Sequence, residues 1–312
     1  MDKGARIYVA GHRGLVGSAI LRRLEAGGYS HLLTRTRDEL DLTQRAGVDR
    51  FFDQERPEYV FLAAAKVGGI WANSRYPADF IRENLLIQAN VIDAAFRSEV
   101  QKLLFLGSSC VYPKFAPQPI KEEHLLTGSL EPTNDAYATA KIAGIKMCQA
   151  YRAQYGFRAI TAMPTNVYGP HDNFDLETAH VLAALLRKFH EAKVSGAREV
   201  TVWGTGTPRR EFLHVDDLAD ACVFLMGAYD APDLINVGVG EDLSIRELAE
   251  LIGRIVGFSG EIAYDPSQPD GTPRKLLDVS RLGVLGWRAR IALEDGIRQT
   301  YHWYCDQLAT VT

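Results

Sequence analysis

Short apolar runs alternate along the chain with longer segments in which apolar residues recur every three to four positions. The compact apolar runs are RIYVAG (6–11), YVFLAAA (59–65), KLLFLGS (102–108) and RAITAMP (158–164). The longer segments with helical periodicity are 14–27, 77–98 and 134–155. Apolar strands joined by amphipathic helices are typical of a parallel sheet that is covered on both faces. We therefore predict a doubly wound α/β domain over residues 1–165.

The pattern changes after about residue 165. Loops rich in glycine, proline and charge follow, and between them lie a helical pattern at 178–192 and a strand pattern at 199–204. We expect a smaller α/β substrate-binding domain over residues 166–312. A helical pattern at 215–228 and the apolar run LINVG (234–238) suggest that parts of 212–240 complete the first domain, so the two domains are expected to interleave.

Composition excludes several classes of protein. Hydrophobic residues are 46% of the chain, charged residues are 24%, and the formal net charge is −4, which is typical of a folded globular protein and not of a nucleic-acid-binding one. No apolar run reaches the roughly 18 residues of a membrane helix, and the first residues lack the pattern of a signal peptide, so we predict a cytoplasmic protein. Widely spaced cysteines without metal-ligand spacing argue against disulfides and metal sites; these are Cys110, Cys148, Cys222 and Cys305.

The first apolar run leads into a glycine-rich loop, AGHRGLVG (10–17), and a helical pattern follows at once. Gly11, Gly14 and Gly17 lack a Cβ, as a tight turn, close approach to a pyrophosphate and close helix–strand packing require. The helix N-terminus supplies amide donors for phosphate. This context predicts dinucleotide binding on a Rossmann-type sheet.

Arginines occupy residues 32–42, near the end of the predicted second strand, where an NAD enzyme places an acidic residue. The segment reads LLTRTRDELDL (32–42), and Arg35 and Arg37 precede its acidic residues. A 2′-phosphate suits a guanidinium and is repelled by a carboxylate. Arg13 in the glycine loop is a further candidate for the same phosphate, although a solvated arginine cluster is the alternative. NADPH is therefore favoured over NADH.

The segment YATAK (137–141) places Tyr137 and Lys141 four residues apart, on one face of a predicted helix. A lysine beside the phenol is expected to lower the pKa of Tyr137 from about 10 towards neutrality and so favour proton transfer. The preceding strand ends in LGSSCVYP (106–113), which brings Ser108 or Ser109 to the cofactor crevice as a donor to a substrate carbonyl. The long proline-rich stretch between serine and tyrosine is expected to cover the nicotinamide or to shape the substrate pocket.

These motifs resemble the extended short-chain dehydrogenases/reductases, which use the Gly-x-x-Gly-x-x-Gly spacing and a Ser–Tyr–Lys triad. The register of that family favours Ser108 over Ser109. Within it, seven segments resemble the GDP-L-fucose synthase family along nearly the whole chain: GHRGLVGSAI (11–20), AAAKVGGI (63–70), FLGSSCVYPK (105–114), EPTNDAYATAKIAGIK (131–146), MPTNVYGPHDNF (163–174), WGTGTPRREFLHVDDLA (203–219) and PDGTPRKLLDVSRLGVLGW (269–287).

The resemblance implies that NADPH-dependent epimerisation at carbons 3 and 5 and reduction at carbon 4 convert GDP-4-keto-6-deoxy-D-mannose to GDP-L-fucose. Both epimerised carbons flank the ketone, and their protons are acidic only while it remains, so reduction must come last. The resemblance assigns Cys110 as the epimerisation base and His180, on a later helix, as the acid. From the residues alone, a packed cysteine and a surface or capping histidine are the commoner interpretations.

The resemblance also implies contacts to both ligands and a homodimer. Substrate contacts fall on Lys188, Trp203, Arg210 and Asp270, with core or solvated positions as the alternative for Trp203 and Lys188. The implied NADP(H) contacts are Gly11, His12, Arg13, Gly14, Leu15, Val16, Gly17, Arg37, Asp38, Asp41, Leu42, Ala64, Leu106, Gly107, Ser108, Lys141, Pro164, Asn166, Val167 and His180.

Two other functions remain open at this point. A UDP-sugar 4-epimerase of the same scaffold would keep NAD bound, against which Arg35 and Arg37 argue. A catalytically silent NADP-binding or nucleotide-sugar-sensing protein is expected to have lost part of the triad, but Ser108, Tyr137 and Lys141 are all present.

Overall fold

The computed structural model describes residues 1–311. Its strands are β1 (Arg6–Ala10), β2 (His31–Leu33), β3 (Tyr59–Leu62), β4 (Lys102–Leu106), β5 (Ala159–Pro164), β6 (Asn166–Tyr168), β7 (Glu199–Trp203), β8 (Arg209–Arg210), β9 (Phe212–His214), β10 (Leu234–Val237), β11 (Leu243–Ser244), β12 (Glu261–Asp265) and β13 (Arg274–Lys275). Its helices are α1 (Leu15–Ala26), α2 (Arg45–Glu55), α3 (Ile70–Arg75), α4 (Pro77–Arg97), α5 (Asp135–Tyr155), α6 (Val181–Ser195), α7 (Val215–Ala228), α8 (Ile245–Val256), α9 (Ser280–Val284) and α10 (Leu293–Val311).

A six-stranded parallel sheet in the order β10-β5-β4-β3-β1-β2 forms the centre of the molecule. The order reverses between β1 and β3, because β2 follows β1 towards one edge and β3 lies on the other side of β1. In open α/β sheets, ligands bind at the carboxyl ends of the strands where such a reversal opens a crevice. The predicted doubly wound sheet is confirmed, and its crevice lies beside the glycine loop that follows β1.

Two hydrophobic layers cover this sheet because successive strand residues point to opposite faces. Tyr8 and Phe105 pack on one face among buried residues of α2, α4 and α5. Ile7 and Leu104 pack on the other face among residues of α1 and α7. The strands therefore consist almost wholly of apolar residues, as the compact runs predict.

A third hydrophobic cluster lies in the later part of the chain, among α6, α8, α10, β7 and β9. Smaller sheets accompany it, in the orders β11-β8-β13, β12-β7 and β6-β9. Ser244 caps α8 through a reciprocal capping box: its hydroxyl accepts from the Glu247 amide at 3.1 Å, and the Glu247 carboxylate accepts from the Ser244 amide at 2.7 Å. The sequence interpretation above identified neither α8 nor α10.

Residues from the later half also return to the central sheet. β10 pairs with β5 in parallel, with Leu234 opposite Thr161. α7 packs against α1 through the second hydrophobic layer. Within residues 1–311, no helix combines the length and apolar character that crossing a membrane requires.

Candidate functional site

One cleft of about 770 Å³ runs from the carboxyl ends of β1, β3 and β4 to α6 and β7. Most residues expected to contact cofactor or substrate line this cleft: Gly11, Gly14, Leu15, Val16, Gly17, Arg37, Asp41, Leu42, Ala64, Leu106, Gly107, Ser108, Cys110, Tyr137, Lys141, Pro164, Asn166, Val167, His180, Lys188, Trp203, Arg210 and Asp270. His12, Arg13 and Asp38 are not among its lining residues. The structure thus brings both groups of expected residues to one continuous space.

The three loop glycines differ in what their backbone geometry requires. Gly11 has φ of +86°, and a Cβ there would lie 2.8 Å from backbone atoms of Ala64 at the end of β3. At Gly17 a Cβ would lie 2.1 Å from the Gly11 carbonyl oxygen, so α1 can pack against the loop only without a side chain. At Gly14 a Cβ would meet that oxygen at 3.5 Å, an ordinary contact. Protein packing therefore explains Gly11 and Gly17, whereas Gly14 leaves open space in the cleft.

The N-terminus of α1 opens onto the same cleft. Gly14 is its N-cap, the cap carries no side-chain hydrogen bond, and the first turn contains no acidic residue. Backbone amides at such a terminus attract phosphate through unpaired donors and through the helix dipole. This part of the cleft fits the diphosphate of a dinucleotide.

Arg35 and Arg37 take different positions after β2. Arg35 pairs with Glu55, donates to the Thr34 carbonyl at 2.7 Å, and lies over the Phe51 ring at 5.3 Å. Arg37 is 72% exposed and makes one long ion pair, 3.4 Å from the Glu83 carboxylate. Both line the cleft, but Arg37 makes fewer contacts with the protein than Arg35 does.

The triad side chains meet at the end of β4. Ser108 hydrogen-bonds Tyr137, and the Lys141 ammonium donates to the Leu106 carbonyl at 2.8 Å. The Lys141 ammonium lies 6.0 Å from the centroid of the Tyr137 ring. The hydroxyls of Ser108 and Tyr137 thus converge where a carbonyl oxygen could accept from both.

The expected lowering of the Tyr137 pKa by Lys141 is wrong for this structure. Burial raises the pKa of Tyr137, nearby Cys110 raises it further, and only the hydrogen bond from Ser108 opposes them. Burial also lowers the pKa of Lys141 to about 8, because its ammonium is removed from water and faces a carbonyl rather than a carboxylate. Tyr137 is therefore held in its protonated form, as a proton donor to a developing alkoxide must be.

The Cys110 thiol lies in a polar environment next to the triad. Its amide donates to the Ser108 hydroxyl at 3.3 Å, which fixes the short 3₁₀ turn Ser109–Val111. Its sulfur lies 3.4 Å from the Asn134 side-chain nitrogen and 3.6 Å from the Lys275 ammonium. A cysteine that served only in packing would have apolar neighbours, so this geometry favours a chemical role.

His180 caps the N-terminus of α6 rather than lying within the helix, which begins at Val181. His180 lines the cleft and is exposed there. Burial and, secondarily, the Lys275 ammonium lower the pKa of His180. The preceding turn is held by the segment AAAKVGGI (63–70): the Gly69 amide donates to the Thr178 carbonyl at 2.9 Å, and a Cβ at Gly69 would lie 2.5 Å from the Ala179 oxygen.

The expected substrate contacts form two pairs on the far side of the cleft. Lys188 donates to the Thr201 carbonyl at 3.1 Å and lies 5.3 Å from the Trp203 ring, which is 46% exposed. Burial lowers the pKa of Lys188. An exposed indole in a cleft is free to stack on a flat base, so the alternative of a core position does not hold for Trp203.

Arg210 and Asp270 form the second pair. The Arg210 guanidinium donates to the carbonyls of Arg209 at 2.9 Å and Asp270 at 3.2 Å, and burial lowers its pKa. The Asp270 carboxylate accepts from the Thr205 amide at 2.8 Å and hydroxyl at 2.9 Å. Asp270 thus orders the turn after β7. Because its carboxylate already accepts these two hydrogen bonds, it has fewer free lone pairs for a ligand.

The proline-rich segment between Ser108 and Tyr137 contacts the cleft only at its two ends, through residues such as Cys110 and Asn134. Its middle packs elsewhere: the Ile120 amide donates to the Leu276 carbonyl at 2.7 Å, and the Ile120 carbonyl accepts from the Asp278 amide at 2.8 Å. Phe115 is 78% exposed. The segment therefore shapes the substrate pocket at its ends, and it holds strand β13 in place.

Sequence reasoning gave no role to Asn134 or Lys275, although both lie in segments that carried the family resemblance. Asn134 precedes Tyr137 by three residues, so its position near the triad was accessible from helical spacing. Lys275 is separated from Cys110 by 165 residues, and no sequence pattern predicts that contact.

Comparisons with known proteins agree with this geometry. A profile of the NAD dependent epimerase/dehydratase family matches residues 7–238. GDP-L-fucose synthase 1 of Arabidopsis thaliana is 64% identical over 303 residues, which cover 97% of this chain and 94% of that protein. The GDP-mannoheptose C4 reductase of Campylobacter jejuni, solved with NADP bound, is 43% identical with a TM-score of 0.91 and covers 98% of this chain and 99% of its own. A GDP-L-fucose synthetase of Naegleria fowleri, solved with NADP bound, is 28% identical with a TM-score of 0.91 and covers 99% of this chain and 97% of its own.

Proposed function

The chain belongs to the NAD dependent epimerase/dehydratase family, and from this premise we propose that it converts GDP-4-keto-6-deoxy-D-mannose to GDP-L-fucose with NADPH. The observation that carries the proposal is one cleft that contains a dinucleotide crevice and a Ser–Tyr–Lys triad and is lined by both Cys110 and His180. A reductase needs the crevice and the triad. The cysteine and histidine add a separate acid–base pair, which epimerisation requires.

NADPH supplies a hydride for carbon 4 of the keto sugar when it is bound in the crevice. The unpaired amides at the start of α1 receive the diphosphate, and Arg37 receives the 2′-phosphate. Ser108 and Tyr137 donate hydrogen bonds to the ketone oxygen, and Tyr137 gives up its proton as the alkoxide forms. Lys141 orders the end of β4 through the Leu106 carbonyl.

Epimerisation precedes reduction because the protons on carbons 3 and 5 are acidic only while carbon 4 is a ketone. The Cys110 thiolate removes such a proton, and the electron pair moves to the ketone oxygen, where Ser108 and Tyr137 stabilise the negative charge. His180, which solvent reaches through the cleft, takes up a proton and returns it to the opposite face. The open position of its ring supports this role.

The nucleotide part of the substrate binds on the far side of the cleft. Trp203 stacks on the base, and Lys188 and Arg210 bind the diphosphate, which suits their charge and their position. Asp270 acts on the sugar or base from the turn that it orders.

Product identity after incubation with GDP-4-keto-6-deoxy-D-mannose and NADPH tests this function. We expect GDP-L-fucose, together with deuterium at carbons 3 and 5 when the reaction runs in heavy water. A product reduced at carbon 4 with the starting configuration at carbons 3 and 5 would favour a C4 reductase like that of Campylobacter jejuni. Cofactor binding without turnover would favour a sensor.

Cys110→Ser separates the two reactions within the same enzyme. The hydroxyl is too weak an acid to replace a thiolate, so deuterium incorporation should be blocked while hydride transfer to the unepimerised ketone survives. A variant that still exchanges both positions at the normal rate would make Cys110 a packing residue.

A homodimer and a cytoplasmic location remain predictions. The helices α4 and α5 pack side by side on one face of the sheet, and Tyr155 on α5 is 52% exposed, so this face can pair with a second copy across a twofold axis. Molecular mass in solution from light scattering tests the dimer.

A further inference from the structure

The Cys110 sulfur is the hydrogen-bond acceptor for two side chains that have no role in the chemistry described above. The Asn134 amide nitrogen lies 3.4 Å away and the Lys275 ammonium 3.6 Å away. Within residues 1–311, the Lys275 ammonium makes no ion pair with a carboxylate. The Cys110 sulfur is thus the polar side-chain partner of this cation.

The backbone around Lys275 is held firmly, which fixes the position of its side chain. Strand β13 pairs with β8, and the Glu211 amide donates to the Lys275 carbonyl at 3.3 Å. The next residue, Leu276, donates to the Gln118 side chain at 2.9 Å and accepts from the Ile120 amide at 2.7 Å. The segment that carries Lys275 is therefore bound on both sides.

Neighbouring charges do not cancel that of Lys275. Glu131 is a buried carboxylate in this part of the cleft, and it is paired with Lys114 at 2.9 Å. Asp270 is bound by Thr205, and Arg210 adds a second positive charge. Lys275 and Arg210 thus place two cations in the part of the cleft that contains the sulfur.

We propose that Lys275 is a positioning residue that holds the Cys110 sulfur towards carbons 3 and 5, and that epimerisation, but not reduction, depends on it. The proposal rests on the proposed function. In the proton transfer, the carbon–hydrogen bond breaks, a sulfur–hydrogen bond forms, and the electron pair moves to the ketone oxygen. Lys275 neither gains nor loses a proton in this step.

Removal of the Lys275 ammonium affects two residues, Cys110 and His180. Its expected effect on His180 helps to tell the two apart. The ammonium lowers the pKa of His180, so a neutral residue at 275 should make His180 easier to protonate. That change alone would assist the acid. A loss of epimerisation in such a variant would therefore not arise from a weaker acid at His180.

The test compares Lys275→Met, Lys275→Arg and a matched control, Arg274→Met. Arg274 is the adjacent cation on β13, but it pairs with Asp242 at 2.5 Å and does not line the cleft. The first measurement is the rate at which iodoacetamide alkylates Cys110 at neutral pH, followed by mass spectrometry of the peptide. The second is deuterium incorporation at carbons 3 and 5 in heavy water.

We expect Lys275→Met to lower both rates about tenfold, because the sulfur loses the cation that contacts it. Lys275→Arg should restore most of each rate, and Arg274→Met should leave both unchanged. Reduction should continue, so that product with the starting configuration at carbons 3 and 5 accumulates. If Lys275→Met does not fold, Lys275→Gln replaces it, since an amide keeps a hydrogen bond but removes the charge.

Two results would overturn the proposal. Alkylation at the normal rate in the neutral variant would show that Cys110 does not need the cation. A higher KM for the GDP-sugar, with normal alkylation and normal exchange at saturating substrate, would make Lys275 a diphosphate ligand instead. If the unaltered enzyme forms no GDP-L-fucose while alkylation still depends on Lys275, the proposed function fails and the pairing of Lys275 with Cys110 remains.

Discussion

The cofactor side and the substrate side of the cleft are built in different ways. The glycine loop, the start of α1 and the end of β3 form the cofactor side from chain segments within residues 11–64, and much of the contact surface is backbone. On the substrate side, side chains come from four segments that are distant in sequence: Cys110 after β4, His180 before α6, Arg210 on β8 and Lys275 on β13. The first side depends on the absence of side chains, the second on their charge.

This difference predicts different responses to substitution. A Cβ at Gly11 or Gly17 collides with backbone atoms that cannot move far, so the cofactor side as a whole is disturbed. A side chain removed from the substrate side takes away one contact or one proton transfer and leaves the rest. Damage on the first side should affect both reactions together, whereas damage on the second should separate them.

Gly17→Ala should have the largest effect. The added Cβ would lie 2.1 Å from the Gly11 carbonyl oxygen, which belongs to the backbone of the same loop. Either the loop or α1 must shift, at a cost of about 1–3 kcal/mol in the free energy of unfolding. We expect calorimetry to show that NADPH binding is lost and thermal unfolding to show a lower Tm. Both epimerisation and reduction should be lost.

Gly14→Ala is the matched control in the same loop. Its Cβ would meet the Gly11 oxygen at 3.5 Å, so the fold and the Tm should stay unchanged while NADPH binding weakens through contact with the diphosphate alone. An equal decrease in Tm for Gly17→Ala and Gly14→Ala would contradict the conclusion that Gly17 serves packing and Gly14 leaves room for the ligand.

Tyr137→Phe should have the next largest effect, because it removes the hydroxyl that protonates the alkoxide and that donates to the ketone oxygen. Burial raises the pKa of Tyr137, so the residue is protonated across the neutral range and available as a general acid. Its loss should lower the rate of reduction about 10²–10⁴-fold while NADPH binding persists. Single-turnover NADPH oxidation measures this step, and an unchanged rate would show that another residue protonates the product.

The same contrast explains how much was predictable from sequence. Strand and helix periods predicted the central sheet, and the glycine spacing predicted where its crevice lies, because both depend on local backbone rules. The pKa of Tyr137 could not be predicted, since its sign depends on burial and on where Lys141 points. The contact between Lys275 and Cys110 joins residues that are 165 positions apart, and only the folded chain reveals it.

Arg210→Ala should weaken substrate binding without affecting the cofactor. Its guanidinium is largely buried on the substrate side, and a hydrogen bond to a charged group is worth about 1.5–3 kcal/mol. We expect the KM for the GDP-sugar to rise about 10–100-fold while the KM for NADPH stays within about twofold. A rise in the KM for NADPH alone would show that Arg210 contacts the cofactor instead of the GDP-sugar.

Arg37→Ala should have the smallest effect, and it tests the one charged contact that the cofactor side is proposed to use. Glu83 accepts from Lys66 at 2.7 Å but from Arg37 only at 3.4 Å, so Arg37 is free to leave Glu83 for a 2′-phosphate. Because Arg37 is 72% exposed, water screens the contact, and the KM for NADPH should rise about tenfold while use of NADH changes little. Arg45→Ala is the control, since Arg45 is 65% exposed, pairs with Asp93 at 2.9 Å and lies outside the cleft. If Arg37→Ala weakens NADPH and NADH equally, the guanidinium stabilises the loop rather than the phosphate, and the cofactor side depends on backbone alone.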